Sequence, residues 1–82
     1  MGSSAWVYLL RCSDDSLYCG WTTDVERRLK EHNAGKASRY TSRRLPVELV
    51  YRRQLVDRSA AMREEARIKR LTRPQKLTLA SG

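Results

Sequence analysis

The chain has 82 residues, 40% of them hydrophobic, and carries 17 Lys and Arg against nine Asp and Glu, a formal charge of +8. That length suits a single small domain, with a core spanning about 5–80, and the charge makes nucleic acid the leading partner class. No run approaches the length of a membrane span and no apolar leader opens the chain, so a soluble cytoplasmic protein without membrane contact is expected. Cys12 and Cys19 lack the CxxC spacing of a zinc or redox site, and one His cannot complete a ligand set, so both read as reduced strand residues.

Met1-Gly2-Ser3-Ser4 is a short polar lead, too little to argue for myristoylation. Ala5 to Cys12, rich in aromatic and β-forming residues, suits a central strand buried on both faces. Leu17 to Trp21 is its hairpin partner across the polar turn Ser13-Asp14-Asp15-Ser16. For Tyr8 and Tyr18 to share a face, the loop around Asp14-Asp15 must have an odd number of residues, three or five. The same register puts Cys12 and Cys19 on opposite faces and forbids a disulfide between them.

Thr23-x-x-Glu26 has the pattern of a capping box, starting a helix that runs to about Asn33-Ala34, where Gly35 supplies a stop. Val25, Arg28, Leu29 and His32 fall on one stripe of it, so two of its four sheet-facing positions are polar. Residues 34 to 45 read as a loop with Lys36, Arg39, Arg43 and Arg44 and no acidic residue. Val47 to Arg52 alternates as a third strand. Asp57 or Ser59 can cap a second helix reaching about Leu71, and Thr72 a short last one with Pro74 in its first turn. The expected fold class is α+β, a three-stranded antiparallel sheet with helices packed on it in the order β-β-α-β-α-α.

Several side chains could carry chemistry. A tyrosine hydroxyl, with an ordinary pKa of about 10, is a poor base at neutral pH unless a guanidinium or metal stabilises its phenolate. Strand tyrosines are ordinarily packing residues, and Tyr8 and Tyr18 taken singly would be read so. Arg28 shares the buried stripe of its helix, which brings its head to the sheet edge, where it can grip a phosphate with two hydrogen bonds. The alternative is an arginine whose stem packs while its head is solvated. His32 lies one turn beyond on the same face. Glu64 and Glu65 both fall near the apolar stripe marked by Ala61, Ile68 and Leu71, and spacing does not choose between them. In the basic loop, Lys36, Arg39, Arg43 and Arg44 can bind phosphates while Tyr40 stacks on an unpaired base. Trp21 could also stack on a base, or merely cover the core.

The order of Tyr8, Tyr18-x-Gly20, Arg28-x-x-x-His32 and a helical Glu resembles the GIY-YIG nucleases, and within them the small stand-alone bacterial UPF0213 group. The resemblance runs from about Trp6 to Leu79 and implies a metal-dependent phosphodiesterase acting on DNA, with RNA as an alternative. It implies Tyr8 as general base or water-positioning residue, Tyr18 as its helper and Arg28 as the phosphate clamp. His32 would share a hydrogen bond with Tyr8 and draw off its proton. Glu65-x-x-Ile68-Lys69 matches the family fragment, which selects Glu65 as ligand for one Mg²⁺ or Mn²⁺; otherwise Glu65 would pair with Arg28 or Lys69. Gly20 fits as a place where a side chain would obstruct the substrate backbone, and Gly35-Lys36 resembles the family's continuation after the first helix.

Two departures stand out. Trp21 replaces the Lys that commonly follows Tyr-x-Gly, and no Asn follows Asn33, where many members have one near the end of the domain; Gln75 and Lys76 are the candidates for that place. Relatives that cut specific sequences generally carry an added DNA-binding domain, so single-stranded or branched DNA is the expected substrate of a monomer. The competing readings are a non-catalytic nucleic-acid-binding module and a subunit that needs a protein partner.

Overall fold

The computed structural model describes residues 4–81, so Met1, Gly2 and Ser3 of the polar lead lie outside the described residues. Strand β1 (Ala5–Arg11) is central, paired antiparallel with β2 (Leu17–Thr22) on one side and β3 (Glu48–Leu55) on the other, in the order β2-β1-β3. A strand with helices over both faces must be apolar at successive positions, and Val7, Tyr8, Leu9 and Leu10 are all buried. On one face Val7, Leu9 and Cys19 pack with Ile68 of helix α3 (Arg58–Lys69) and Leu79 of helix α4 (Arg73–Ser81). On the other, Tyr8, Leu10 and Cys12 pack with Val47, Leu45 and Leu29 of helix α1 (Val25–Asn33). The architecture is the expected α+β sandwich.

Pairing of Arg11 with Leu17 leaves five residues in the hairpin loop, one of the two lengths that place both tyrosines on one face. Asp14 closes the turn by accepting from the Ser16 amide (3.1 Å) and hydroxyl (2.6 Å), and Asp15 adopts φ 70°. Cys12 and Cys19 are buried on opposite faces and free, as that register requires.

Three local expectations need correction. Asp24, not Thr23, caps α1: its carboxylate accepts from the Arg27 amide at 3.1 Å, whereas Glu26 turns away to accept from Arg52 at 2.8 Å. Asp is as good a cap as Thr, and Thr22, whose hydroxyl accepts from the Asp24 amide, fixes the entry one residue later. The basic segment is not all loop, for a single turn of helix, α2 (Arg39–Ser42), is capped by the Ser38 hydroxyl accepting from the Tyr40 amide. Strand β3 runs to Leu55, and a bulge at Val50 (Leu9 opposes Tyr51, Leu10 opposes Leu49) shifts its alternation midway. Elsewhere the caps agree. Gly35 follows α1 at φ +76°, Asp57 accepts from the Ala60 amide, and Thr72 and Gln75 cap α4 reciprocally.

Candidate active site

The site grows from the β1–β2 ladder. Tyr8 stands opposite Gly20 and Tyr18 opposite Leu10, so both phenols rise from the face that α1 covers. Tyr8 reaches across its partner: a Cβ on Gly20 would lie 2.5 Å from the Tyr8 hydroxyl oxygen and 2.7 Å from its Cζ. The space over Gly20 is therefore filled by Tyr8 itself, which gives this glycine a packing reason that needs no substrate.

From there the hydroxyl meets His32. Tyr8 Oη lies 2.8 Å from His32 Nε2, and His32 Nδ1 lies 2.8 Å from Thr41 Oγ1. All three are buried, with Tyr8 2%, His32 1% and Thr41 0% exposed. The direction of the chain follows from its far end. We assign the one hydroxyl hydrogen of Thr41 to the Ser38 carbonyl (3.4 Å), so that Thr41 accepts from His32 Nδ1–H. That leaves Nε2 unprotonated, and it accepts from the Tyr8 hydroxyl. Burial pushes the Tyr8 phenol above its ordinary value, with Tyr18 adding to the effect and Arg28 opposing it. The same burial, reinforced by the Arg28 charge and opposed by Glu31, lowers the imidazole. In the resting protein both groups are neutral, with the shared proton on Tyr8.

Tyr18 packs edge-on to the imidazole, ring centroids 5.2 Å apart, and stacks on Tyr40 of α2 at 6.0 Å. Arg28 is half-exposed at 40% of its side chain, and its guanidinium forms an ion pair with Glu31 at 3.1 Å. Its charge is felt by both Tyr8 and His32, favouring the phenolate of the one and disfavouring the imidazolium of the other. The two glutamates that spacing left equivalent now differ. Glu64 is locked to Arg67 (2.6 Å) and Arg53 (3.3 Å), which hold its carboxyl below the usual range, the Arg67 hydrogen bond foremost. Glu65 has one looser partner, Lys69 at 3.7 Å, and its carboxylate is among the charges felt by Tyr8. Its backbone carbonyl accepts from the Cys19 thiol, which burial and the Glu65 charge push up to about 12.

The basic residues divide. Lys36, Arg39 and Arg43 are exposed. Arg44 is committed within the molecule: it lies 3.9 Å over the Tyr40 ring, donates to the Tyr40 carbonyl and pairs with Asp14 at 2.9 Å, tying the hairpin turn to α2. Lys76 lies on the opposite side of the sheet, where its charge reaches Cys19. Gln75 accepts from the Thr72 amide at 2.9 Å and is committed to capping α4. Trp21 is half-buried beside a cleft of ≈ 340 Å³ that it lines with Thr22, Thr23, Arg28 and Arg58. Thr41 and Arg58 were not singled out from the sequence. One hydroxyl in a run of Ser, Arg and Thr, and one more arginine among many, carry no distinguishing signal until the fold is known.

No group of three or more His, Cys, Asp or Glu side chains that could hold an ion occurs among the described residues. Of the carboxylates near this cluster, Glu31 is paired with both Arg27 and Arg28, whereas Glu65 has the looser contact with Lys69. Such a donor set fits a hard ion that keeps most of its waters and completes its shell with phosphate oxygens, as Mg²⁺ and Mn²⁺ do, and does not fit zinc.

Comparison with known proteins identifies the family of this chain. Residues 4–78 match the family model of the GIY-YIG catalytic domain. A UPF0213 protein of Haloquadratum walsbyi is 51% identical over 80 residues, covering 98% of this chain and 90% of the relative. One from Streptococcus agalactiae is 53% identical over 74 residues, covering 90% and 84%. The solution NMR structure of a UPF0213 protein from Bacillus halodurans superposes with a TM-score of 0.60 at 44% identity, covering 95% of this chain and 83% of that one. A solution structure of a protein from E. faecalis does so with the same score and identity. With matched relatives in both bacteria and archaea, this chain belongs to the GIY-YIG family, whose catalytic domain is a nuclease fold, and to its UPF0213 group.

Proposed function

We propose that this protein is a divalent-metal-dependent endonuclease that hydrolyses phosphodiester bonds in DNA, acting on single-stranded or branched substrates without long sequence specificity. The observation that carries the reading is the buried chain Tyr8–His32–Thr41, set beside a half-exposed Arg28 and an under-partnered Glu65. A packing tyrosine does not need a buried imidazole of fixed tautomer at its hydroxyl; a tyrosine that must pass on a proton does.

In the reaction, Arg28 grips the scissile phosphate and balances the charge that builds on its oxygens. Attack by water forms the new P–O bond as the water proton moves to Tyr8 Oη and the Tyr8 proton moves to His32 Nε2. The bond to the leaving sugar oxygen breaks, and that oxygen takes a proton from solvent. Thr41 keeps Nδ1 in its protonated form so that Nε2 is the site that receives. Glu65 would hold the metal ion, which when bound supplies Lewis-acid neutralisation of the leaving oxygen.

The test is cleavage of end-labelled single-stranded, duplex, flap and four-way-junction DNA in Mg²⁺, Mn²⁺ or EDTA, with Tyr8→Phe and Glu65→Ala beside the wild type. Metal-dependent cutting that both variants lose is expected. DNA binding without cleavage by any of the three proteins would instead favour a binding module or a subunit that needs a partner, and cleavage of RNA alone would move the substrate class.

A further inference from the structure

β2 is an edge strand, so its end is where structure from both faces of the sheet can meet. There α1 arrives from one face and α3 begins on the other, and the cleft of ≈ 340 Å³ lies between them. Its lining has a distinct chemistry. Arg28 contributes a half-exposed guanidinium that pairs with Glu31. Arg58, first residue of α3, is exposed and makes no ion pair among the described residues. Thr23 adds an exposed hydroxyl, whereas the Thr22 hydroxyl is held by the Asp24 backbone. Trp21 supplies the aromatic surface, and no acidic residue lines the cleft.

Two facts join this cleft to the catalytic cluster. Arg28 belongs to both, because its charge acts on Tyr8 and His32. Arg58 and Glu65 are seven residues apart on α3, on the same side of the helix as buried Ala61 and Ile68. A strand held at Arg28 would thus have one neighbouring nucleotide within the reach of Arg58 and Trp21. A planar hydrophobic ring next to two cations suits an unpaired base and its phosphate; in a duplex the base would remain stacked on its neighbours and leave Trp21 bare.

Resting on the nuclease reading above, we infer that the cleft of Trp21, Thr23, Arg28 and Arg58 is a subsite for an unpaired nucleotide adjoining the scissile phosphate. Arg58 takes the flanking phosphate and Trp21 stacks on the base. The subsite makes strandedness, rather than sequence, the property that is recognised.

The experiment is binding of a fluorescein-labelled single-stranded oligonucleotide and its duplex in EDTA, by anisotropy over a salt series, with far-UV circular dichroism confirming each fold. For Arg58→Ala the slope of log affinity against log salt on single strands is expected to fall by about 0.7, one phosphate contact. Trp21→Leu is expected to weaken single-strand binding about tenfold with the slope unchanged, Trp21→Tyr to restore it, and duplex binding to move little in either. A wild-type slope in folded Arg58→Ala, or equal losses on single and double strands, would overturn the subsite, and Arg58→Ala, altered at an exposed unpartnered residue, decides the matter if Trp21→Leu fails to fold. Wild-type cleavage together with unaffected variants removes the subsite alone. A wild type that neither binds nor cuts DNA removes the nuclease reading as well.

Discussion

Gly20→Ala is expected to destabilise the protein and disable it together, against the usual sign of this substitution. Gly in a strand interior is ordinarily worse than Ala by roughly 0.5–1 kcal/mol, so backbone entropy alone predicts a gain. Nothing in the backbone requires glycine, since Gly20 sits in β2 without a positive φ. The obstacle is Tyr8, whose Oη, Cζ and Cε1 would lie 2.5, 2.7 and 3.2 Å from the new carbon. To reach an ordinary contact of about 3.5 Å the ring must retreat by about 1 Å. Tyr8 is 2% exposed and tied to His32 at 2.8 Å, so that retreat strains the packing and stretches the hydrogen bond beyond its working range. Overpacking costs about 1–3 kcal/mol and a spoiled buried hydrogen bond about 1–3 more, large for a domain whose whole stability is of order 5–15. Urea denaturation should show a loss of at least about 2 kcal/mol, and cleavage assays a loss of activity. In a Tyr8→Phe background the penalty should shrink, because the nearest clashing atom and the hydrogen bond are both gone. A Gly20→Ala protein as stable as the wild type would refute the account of why this residue is glycine.

Other expectations follow from the same contacts. Thr41→Val, close to isosteric, strands the His32 Nδ1–H in the interior and frees the tautomer. It should cost about 1–3 kcal/mol of stability and at least tenfold in cleavage rate, whereas Thr41→Ser should retain most of both. Glu65→Ala removes a carboxylate whose only ion pair among the described residues is Lys69 at 3.7 Å, so the melting curve should move by less than about 1 kcal/mol while metal-dependent cleavage vanishes. Stability should pass through a plateau with pH. His32 is lowered in the folded state, so the stability tied to its neutral form is present above about 6.5 and lost as pH falls below. Tyr8 and Cys19 are raised, Cys19 from 9.0 to about 12, so their contribution is present at neutral pH and lost as pH rises through the alkaline range. Denaturation midpoints from pH 5 to 10 check both arms, and His32→Gln should abolish the acidic one.

Much of this arrangement was legible before the fold was known, because it depends on strand parity and helix period. Putting Tyr8 and Tyr18 on one face forces an odd loop, and the loop has five residues; the α1 stripe that carries Arg28 and His32 toward the sheet follows from the 3.6-residue repeat. What was illegible depends on contacts between elements distant in sequence. Periodicity cannot tell Glu64 from Glu65, since the difference is that Arg53, on β3, reaches one and not the other. Charge counting cannot tell Arg44, spent on Asp14 and Tyr40, from the exposed Arg39 and Arg43. Thr41 sits in a run that reads as loop, and only the single turn of α2, capped by Ser38, brings its hydroxyl beneath His32.

Raising Tyr8 and lowering His32 at first looks adverse to catalysis. Moving a proton from an ordinary phenol to an ordinary imidazole is uphill by about 3.5 pH units, roughly 5 kcal/mol, and burial widens that gap in both directions. The objection holds for a tyrosine that must exist as phenolate before water is attacked. It fails for a relay in which Tyr8 receives the water proton as it gives up its own, because the phenol is neutral before and after and its desolvation is never challenged. The one new charge is then the imidazolium, formed as the phosphate gains negative charge within the same field. The two routes part in their pH dependence. A phenolate base predicts kcat/KM rising tenfold per pH unit from 7 toward 9.5, since Tyr8 titrates above 10. The relay predicts a plateau over that range and a fall only on the acid side of the ordinary imidazole range, because burial lowers His32 and it accepts until it is protonated. A log-linear climb through the alkaline range, measured at fixed salt and saturating metal, would exclude the relay and leave His32 as a packing partner of Tyr8.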